Sequence, residues 1–320
     1  MSEIYVIDVA LKPGNNDREP VKQGLQRTSG PTISAIPKPY SMPPTPGWQA
    51  TLNIAAARRG DKSALTQRSH TGPLYIQRAL YPEADHTAHV MILHPPGGLV
   101  QGDQIDIQAR AGAEAALLIT TPSAGKFYKT PAGGTAQNVR LAAEPGARLE
   151  WLPQEAILFD GAHVTLGLTA DLDAASRAIV WDSVVFGRPA IGERLQQGSL
   201  DSQLRVTLDG QLIFSERTRV PGLSASPLQD AAWGLDGAIA MGTLVAYCPE
   251  GFTEQHTRAL RETLVAEGGR CAVTRVDALL VVRALGRSTA YVRQVLIQAW
   301  QTLRPWVMDK PAVAPRIWST

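Results

Sequence analysis

The sequence predicts a mainly β protein: a stacked-strand scaffold of the β-helix or solenoid type, with a small C-terminal α/β part that contains two helices. Three observations lead to this prediction. Apolar and polar residues alternate with a period of two in several segments between residues 48 and 250, as they do in half-buried strands. Similar strand-like segments recur along the chain. The 28 glycines and 23 prolines favour many short elements separated by turns.

The composition is typical of a globular protein with a sizeable core, since 44% of the 320 residues are hydrophobic and 19% are charged. A balance of 31 Lys and Arg against 29 Asp and Glu disfavours nucleic-acid binding through bulk charge. The sequence has neither a run of about 18 apolar residues nor the pattern of a signal peptide. Cys248 and Cys271 fit neither a disulfide framework nor a zinc motif. We therefore expect a cytoplasmic protein with no nucleic-acid or membrane partner.

The chain opens with a proline-rich segment. Eight of the 23 prolines fall between Pro13 and Pro46, among few large apolar residues, and such a composition cannot supply a hydrophobic core. We expect residues 1–47 to form a flexible extension, residues 48–250 to form the β scaffold, and residues 251–320 to form a β-α-β-α part with a tail.

Alternating segments in the middle of the chain give the clearest strand predictions. The residues predicted to face inward are Ile105, Ile107 and Ala109; Val139 and Leu141; Leu149 and Trp151; and Leu204, Val206 and Leu208. Asp209-Gly210 predicts a hairpin, because both residues tolerate the positive φ of a type I′ turn.

A faint internal repeat accompanies these strands. Its three copies are GAEAALLITTP from Gly112, GARLEWLP from Gly146 and ASRAIVWD from Ala175, which start 34 and 29 residues apart. Repeats of this length built from strands indicate stacked coils of a solenoid, or similar hairpins in a sandwich.

Two C-terminal segments have helical periodicity. Thr253 is predicted to cap a helix through EQHTRALRETLVAE, and Ser288 is predicted to cap a second helix that Pro305 ends. The second helix has one apolar stripe, formed by Val292, Val295, Leu296, Ala299 and Leu303. Between the two helices, CAVTRVDALLVVRAL predicts one buried strand.

Nucleotide, metal and nucleophile motifs receive little support. The glycine-rich segment LHPPGGLVQGDQ lacks the GxxxxGK[ST] pattern, so it predicts a tight corner between strands and no phosphate-binding loop. His86, His89 and His94 are separated by odd spacings, which place neighbours on opposite faces of an extended chain. His163 could supplement a site near Asp160. No serine lies in a GxSxG elbow.

Carboxylates in apolar or glycine-rich surroundings are the strongest chemical signal. Asp103 lies in the glycine-rich corner, Glu155 and Asp160 lie in WLPQEAILFDGA, and Glu193 lies in FGRPAIGER. A buried carboxylate is costly unless it is paired, protonated or bound to a cation. Glu155 and Glu193 could simply pair with arginines while Asp160 begins a turn. Alternatively, the acids could form a functional site, for example the carboxylate pair of a hydrolase on a β-solenoid.

Five blocks, in the same order, resemble the urease accessory protein UreD family, also called UreH. They are GPLYIQRALYPE at 72–83, LHPPGGLVQGD at 93–103, LLITTPSAGKFYKT at 117–130, LEWLPQEAILFDGA at 149–162 and GRPAIGE at 187–193. The resemblance runs from about Trp48 to at least Thr243. Gln101, Gln104 and Ala88 depart from the usual pattern, and Ala88 removes a cysteine that could have served as a soft ligand near His89.

The resemblance implies a β-helical scaffold that is not an enzyme and binds no permanent cofactor. Members of the family join UreF and the GTPase UreG, bind apo-urease, and help deliver nickel to its active site. UreE is implied as an indirect nickel donor, and a dimer of heterotrimers is an implied assembly. The GTP hydrolysis would belong to UreG, which agrees with the missing phosphate-loop pattern.

This role suggests a purpose for the acids and the C-terminal tryptophans. Oxygen ligands bind Ni²⁺ more weakly than thiolates or histidine clusters and so can release it. We expect Asp103, Glu155, Asp160 and Glu193 to line or gate an internal path for Ni²⁺ in transit. A passive bridging subunit without a metal path is the alternative. We also expect UreF to contact Trp300, Trp306 and Trp318, since aromatic residues often dominate interfaces, although Trp300 could equally belong to the core.

Overall fold

Two β-sheets packed face to face form the body of the protein in the computed structural model, which describes residues 8–9, 47–264 and 267–319. The strands are β1 (Asp8–Val9), β2 (Gln49–Arg59), β3 (Lys62–Thr71), β4 (Tyr75–Ile76), β5 (Ala88–Leu93), β6 (Gln104–Ala111), β7 (Ala116–Thr120), β8 (Gly125–Phe127), β9 (Thr135–Ala143), β10 (Arg148–Leu152), β11 (Ala156–Leu158), β12 (His163–Leu172), β13 (Arg177–Phe186), β14 (Ser199–Leu208), β15 (Gln211–Pro221), β16 (Ala240–Tyr247), β17 (Gly269–Val276) and β18 (Leu279–Gly286). The helices are α1 (Glu254–Thr263) and α2 (Thr289–Met308), and short 3-10 turns span Pro189–Ile191, Pro227–Gln229 and Arg316–Ser319. Apart from residues 8, 9 and 47, the predicted N-terminal extension lies outside the described residues.

The chain winds between the two sheets as a solenoid does. One sheet has eight strands in the order β1-β15-β14-β12-β9-β6-β2-β3. The other has ten, in the order β17-β18-β16-β13-β10-β7-β5-β4 with β8 and β11 attached beside β13. Strands β2, β6, β9, β12 and β14 are parallel neighbours, and so are β5, β7, β10 and β13. Successive coils therefore stack side by side, which confirms the predicted mainly β, solenoid-like fold with two helices.

The faint repeat marks equivalent strands of successive coils. Its three copies fall on β7, β10 and β13, where Leu117 pairs with Leu149 and Leu149 pairs with Ala178 in parallel register. The similarity between the copies therefore reflects the same place in three turns of the solenoid.

The main core lies between the sheets and follows the alternating pattern. Residues that were predicted to face inward are buried there, among them Ile105, Ile107, Val139, Leu141, Leu149, Trp151, Leu204 and Val206. Asp209 and Gly210 join β14 to β15 with φ of 49° and 76°, which confirms the predicted turn.

The C-terminal part continues the ten-stranded sheet. The segment predicted as one strand is instead a hairpin, β17 and β18, which turns at Asp277 with φ of 49° and pairs with β16. The single-strand prediction was wrong because an aspartate that tolerates positive φ interrupts an otherwise continuous apolar run. The order after β16 is thus α1, β17, β18 and α2.

Both predicted helix caps are confirmed, but both predicted helix ends were wrong. Thr253 and Ser288 accept hydrogen bonds from the backbone N–H groups of His256 and Tyr291. Helix α1 ends at Thr263, whereas the predicted helix ran to residue 267.

Helix α2 runs through Pro305 to Met308. A proline in a helix costs about 3 kcal/mol, but here Val307 and Met308 are fully buried beyond it. Arg177 Nη1 and Arg148 Nε donate to the carbonyls of Val307 and Met308 at 3.0 and 3.2 Å, so scaffold side chains satisfy the last helical carbonyls.

A second core lies between the ten-stranded sheet and α2. The predicted apolar stripe of α2 is buried there against Ile179, Trp181 and Leu244. The ten-stranded sheet is therefore covered on both faces, whereas no described element covers the outer face of the eight-stranded sheet. None of the described helices is both long enough and apolar enough to cross a bilayer.

Candidate functional site

A cavity of about 260 Å³ enters the sandwich between the two sheets. Exposed residues such as Tyr75 and Gly97 surround its mouth, and its inner wall includes the buried side chains of Ile107 and Trp151. The polar groups among its walls are the candidates for chemistry, namely His94, Thr121, Ser123, Lys126, Gln137, Gln154, Glu155 and Asp182.

Asp182 is a carboxylate placed in the middle of a buried strand. Its neighbours Trp181 and Val185 pack on the helix side of β13, while Val180 and Val184 belong to the core between the sheets. Asp182 shares the face of Val180 and Val184 because side chains alternate along a strand. It makes no hydrogen bond or ion pair with any described residue. Removal from water raises the pKa of Asp182 to about 7.

A second, smaller cavity also has Asp182 in its wall. It has a volume of about 20 Å³ and is lined by Asp182, Glu216, Thr218 and Thr243 among others. This volume holds about one water molecule. Asp182 is thus a wall residue of both cavities.

Glu216 is the buried acid of the small cavity. Its Oε1 accepts a hydrogen bond from Thr243 Oγ1 at 2.7 Å, and its Oε2 lies 2.5 Å from Arg283 Nε. Arg283 is partly exposed, so the pair connects the interior with the surface of the protein. Glu216 keeps a compensated charge, which explains how a carboxylate persists at 6% exposure.

Glu155 lies at a break in the ten-stranded sheet. Strand β10 ends at Leu152 and β11 begins at Ala156, so residues 153–155 belong to neither strand. Glu155 lines the main cavity and two pockets of about 10 Å³ beneath α2. No described residue forms a hydrogen bond or ion pair with its carboxylate, so the predicted arginine partner is not found.

His94 contributes an imidazole to the main cavity. Burial lowers its pKa, although the nearby Asp103 carboxylate acts in the opposite direction. The ring is therefore mainly neutral at pH 7, which is the form that can bind a metal ion.

Asp103 is buried but does not line either cavity. Its two carboxylate oxygens accept hydrogen bonds from the backbone N–H groups of Trp48 and Val100, each at 2.8 Å. The carboxylate thus fixes the glycine-rich corner against the start of β2. The predicted corner is confirmed, and its acid has a local structural partner.

Asp160 and Glu193 hold a surface turn together. Asp160 Oδ1 accepts from the Gln197 N–H at 2.7 Å, and the Asp160 N–H donates to Glu193 Oε1 at 3.2 Å. Glu193 also forms a two-pronged ion pair with Arg188, whose hydrogen bonds lower the pKa of Glu193. The arginine-pairing explanation therefore holds for Glu193, and the turn explanation holds for Asp160.

The clustered histidines have separate partners. His89 Nε2 lies 2.6 Å from Glu83, which also meets Arg304 at 2.6 Å, and His86 lies 3.3 Å from Asp61. His163 lies 3.0 Å from Ser199 at the surface. Within residues 47–264 and 267–319, no group of three or more His, Cys, Asp or Glu could hold a metal ion.

The three C-terminal tryptophans pack at the helix layer. Trp300 is fully buried and donates to Glu150 at 2.7 Å, so its side chain is not on the surface of the isolated chain. Trp318 stacks on Trp181 at 5.6 Å, and Trp306 lies 4.8 Å from the His256 ring. Trp306 and Trp318 are half-buried, and contact of this region with UreF stays a prediction.

Asp182 and Glu216 were not predicted as site residues from the sequence. Each interrupts an otherwise apolar inward-facing row, Asp182 between Val180 and Val184 and Glu216 after Phe214. An acid at a core position of an alternating strand was the available signal. Which inward positions surround a cavity depends on the packing of both sheets.

Comparison with known proteins agrees with the resemblance of the five blocks. The sequence model of a family described as UreD urease accessory protein matches residues 49–319. The chain is 40% identical over 288 residues to the urease accessory protein UreD of Alkalilimnicola ehrlichii, which covers 89% of this chain and 96% of that protein. It is also 40% identical over 287 residues to the UreD of Cupriavidus necator, covering 88% and 98%. The chain therefore belongs to the UreD family of urease accessory proteins.

Proposed function

We propose that this protein is a urease maturation factor that carries Ni²⁺ through its interior toward apo-urease. The observation that supports the proposal is that two cavities both have Asp182 in their walls, with Glu155 on the wall of the larger one and Glu216 on the wall of the smaller one. Of the four acids predicted from the sequence, Glu155 belongs to the proposed path. Asp182 and Glu216 are the other acids of this path. Asp103, Asp160 and Glu193 are assigned instead to holding their loops.

The chemistry of the cavity walls suits a cation in transit. Ni²⁺ would lose part of its water shell at the small cavity, because that volume holds only about one water molecule. Carboxylate and hydroxyl oxygens from Asp182, Glu216 and Thr243 could replace the lost ligands. Oxygen ligands hold Ni²⁺ more weakly than thiolate or imidazole clusters, so they favour release as well as entry.

His94 would act at the outer end of this route. Its neutral imidazole faces the same cavity as Glu155 and Asp182, and nitrogen is a favourable ligand for Ni²⁺. A single imidazole gives a site that captures the ion without holding it permanently. The expected order of contact is therefore His94, then Asp182, then Glu216.

The proposed setting is a cytoplasmic complex with UreF, UreG and apo-urease, with UreE as an indirect nickel donor. The protein itself would be a non-enzymatic scaffold and metallochaperone without a permanent cofactor, and UreG would hydrolyse GTP. A dimer of heterotrimers is the proposed assembly. The names of the relatives, urease accessory proteins, support this role.

The test is urease maturation with acid variants in a reconstituted mixture of UreF, UreG, apo-urease, Ni²⁺, bicarbonate and GTP. Asp182→Asn, Glu216→Gln and Glu155→Ala should each lower the nickel content of urease severalfold while co-purification with UreF is retained. Asp171→Asn is a matched control, because Asp171 lies on the exposed outer face of β12 and, among the described residues, accepts only from Thr207. Urease metallation should be unchanged in that variant.

Full metallation with all three acid variants would favour a passive bridging subunit over a metal path. The assembly measurement separates this result from a simple loss of binding.

A carboxylate-pair hydrolase is the alternative function. Glu155 and the raised pKa of Asp182 in one cavity fit an acid–base pair. However, pockets that bind small-molecule substrates usually have volumes of about 300 Å³ or more, and this cavity is smaller. The family membership also favours the accessory role.

A further inference from the structure

One edge of the sandwich carries exposed aromatic side chains that the core does not use. In the segment that contains β4, Leu74, Ile76 and Ala79 are buried, whereas the residues between them point outward. Tyr75, Leu80 and Tyr81 are 39%, 39% and 37% exposed. The buried residues fix the segment, and the outward residues contribute little to folding.

Strand β3, at the edge of the eight-stranded sheet, extends the surface formed around β4 of the ten-stranded sheet. Strand β3 packs beside β4, and the His70 ring lies 6.4 Å from the Tyr75 ring. Arg68 lies two residues before His70, so both side chains share one face of β3. We call the surface formed by Arg68, His70, Tyr75, Arg78, Leu80 and Tyr81 the tyrosine strip.

Buried ion pairs hold the end of the strip in place. Leu80 bridges to His89 of β5, and Glu83, just after Tyr81, meets Arg304 of α2 at 2.6 Å and Lys310 at 3.2 Å. A surface that is fixed before binding loses little conformational entropy when a partner arrives. The strip is therefore a prearranged platform.

The strip carries positive charge that is not paired by any residue in the described part of the chain. Arg68 and Arg78 are exposed and make no hydrogen bond or ion pair with any described residue. The two carboxylates of the adjoining segment already have cationic partners, because Glu83 pairs with Arg304 and Lys310 and Asp85 pairs with Lys310. Tyrosine and arginine are also the residue types that most often dominate binding energy at interfaces.

We propose that the tyrosine strip is a docking surface for a partner protein whose contact face has an apolar centre flanked by carboxylates. The exposed rings and Leu80 bury against the apolar centre, and Arg68 and Arg78 pair with the carboxylates. Such a contact combines affinity from the rings with electrostatic steering from the arginines. The inference rests on the proposed function only in the choice of proteins to test.

The test measures the affinity of the full chain for purified UreF, UreG and apo-urease, each separately. Arg68→Glu/Arg78→Glu and Tyr81→Ala should each weaken binding to one of these proteins by about tenfold or more. Binding of the wild-type chain to that protein should also weaken as salt rises, and less so for the charge-reversal variant. Thermal unfolding of each variant should match the wild type, since all three side chains are exposed.

Arg140→Glu/Arg205→Glu is the matched control, because both arginines are exposed on the outer face of the eight-stranded sheet. It makes the same charge change and should leave all three affinities unchanged. If neither strip variant changed any affinity by more than about twofold, or if the control weakened binding equally, the strip would not be the docking surface. Failure of the wild-type chain to bind any of the three proteins would contradict both the strip and the proposed function.

Discussion

The two faces of the ten-stranded sheet treat buried carboxylates in opposite ways. On the helix side, Glu150 accepts hydrogen bonds from Trp300 and Arg304, and Arg304 also binds Glu83. On the sandwich side, Asp182 faces two cavities without any partner among the described residues. The difference shows that Glu150 and Glu83, with their full sets of partners, serve folding, whereas the unpaired Asp182 beside the cavities is available for a ligand.

The pKa values follow the same division. Burial alone would raise the pKa of Glu83, but hydrogen bonds from His89 and Arg304 lower it to about 2. For Asp182 nothing opposes burial, and its pKa rises to about 7. The two faces thus differ in whether compensating charge is present beside the acid.

The largest effect on stability is expected from removing Arg304, the cation that pairs with the buried acids on the helix side of the sheet. Arg304→Met would leave Glu150 and Glu83 buried without their main cation, so we expect the free energy of unfolding to fall by about 3–5 kcal/mol. Urea denaturation followed by circular dichroism measures this change. A loss below about 1 kcal/mol would mean that the Arg304 guanidinium is not the main compensating charge of the two carboxylates.

A second experiment changes Asp182, the unpaired acid on the sandwich side of the sheet. Here the substitution is expected to increase the free energy of unfolding. Between about pH 4 and 7 the folded chain keeps a proton on Asp182 that the unfolded chain releases, so stability falls as pH rises through this window. Asp182→Asn removes this dependence, and we expect it to raise the free energy of unfolding at pH 8 by up to about 4 kcal/mol. Urea denaturation of both proteins at pH 5 and pH 8 checks the prediction. Equal stability differences at the two pH values would show that Asp182 is not held in a water-poor site.

A smaller effect is expected from the acid of the glycine-rich corner. Asp103→Ala would remove the acceptor for the Trp48 and Val100 N–H groups, and we expect a loss of about 2 kcal/mol. Hydrogen exchange at Trp48 and Val100 should accelerate, while exchange in α2 should not. Faster exchange throughout the chain would place Asp103 in the global core instead.

The smallest effect is expected at the exposed ion pair of the surface turn. Glu193→Gln weakens the pair with Arg188 but retains an oxygen that can accept from Asp160, so we expect a loss of about 0.5–1 kcal/mol. Thermal unfolding at low and high salt measures it, and the difference from wild type should shrink at high salt. A loss as large as that of Arg304→Met would remove the distinction between exposed and buried pairs.

Much of the fold was predictable because local patterns report it directly. Alternation identified the inward rows of β6, β9, β10 and β14, and the faint repeat identified three equivalent strands of the solenoid. Thr253 and Ser288 identified the helix starts, since a cap depends only on the adjacent turn. The helix end at Met308 was not predictable, because it depends on Arg148 and Arg177, which lie far away in the sequence.

The candidate site was only partly predictable. Glu155 was named from the sequence and does line the main cavity, whereas Asp103, Asp160 and Glu193 bind backbone N–H groups or arginine in loops. An acid in an unusual motif indicates that its charge matters, but the motif does not say what neutralises it. Partners of these acids lie up to 55 residues away along the chain.

The sequence by itself determined the alternating strands, the coil repeat, the helix caps and the family resemblance, because each is written in residues close together or in ordered blocks. Only the tertiary structure decided which carboxylates face a cavity. Asp182 and Glu216 lie on different sheets, and they line one small cavity because the two sheets pack face to face. Burial and charge compensation are properties of that packing, so the same residue type can hold a loop at one position and remain free for a cation at another.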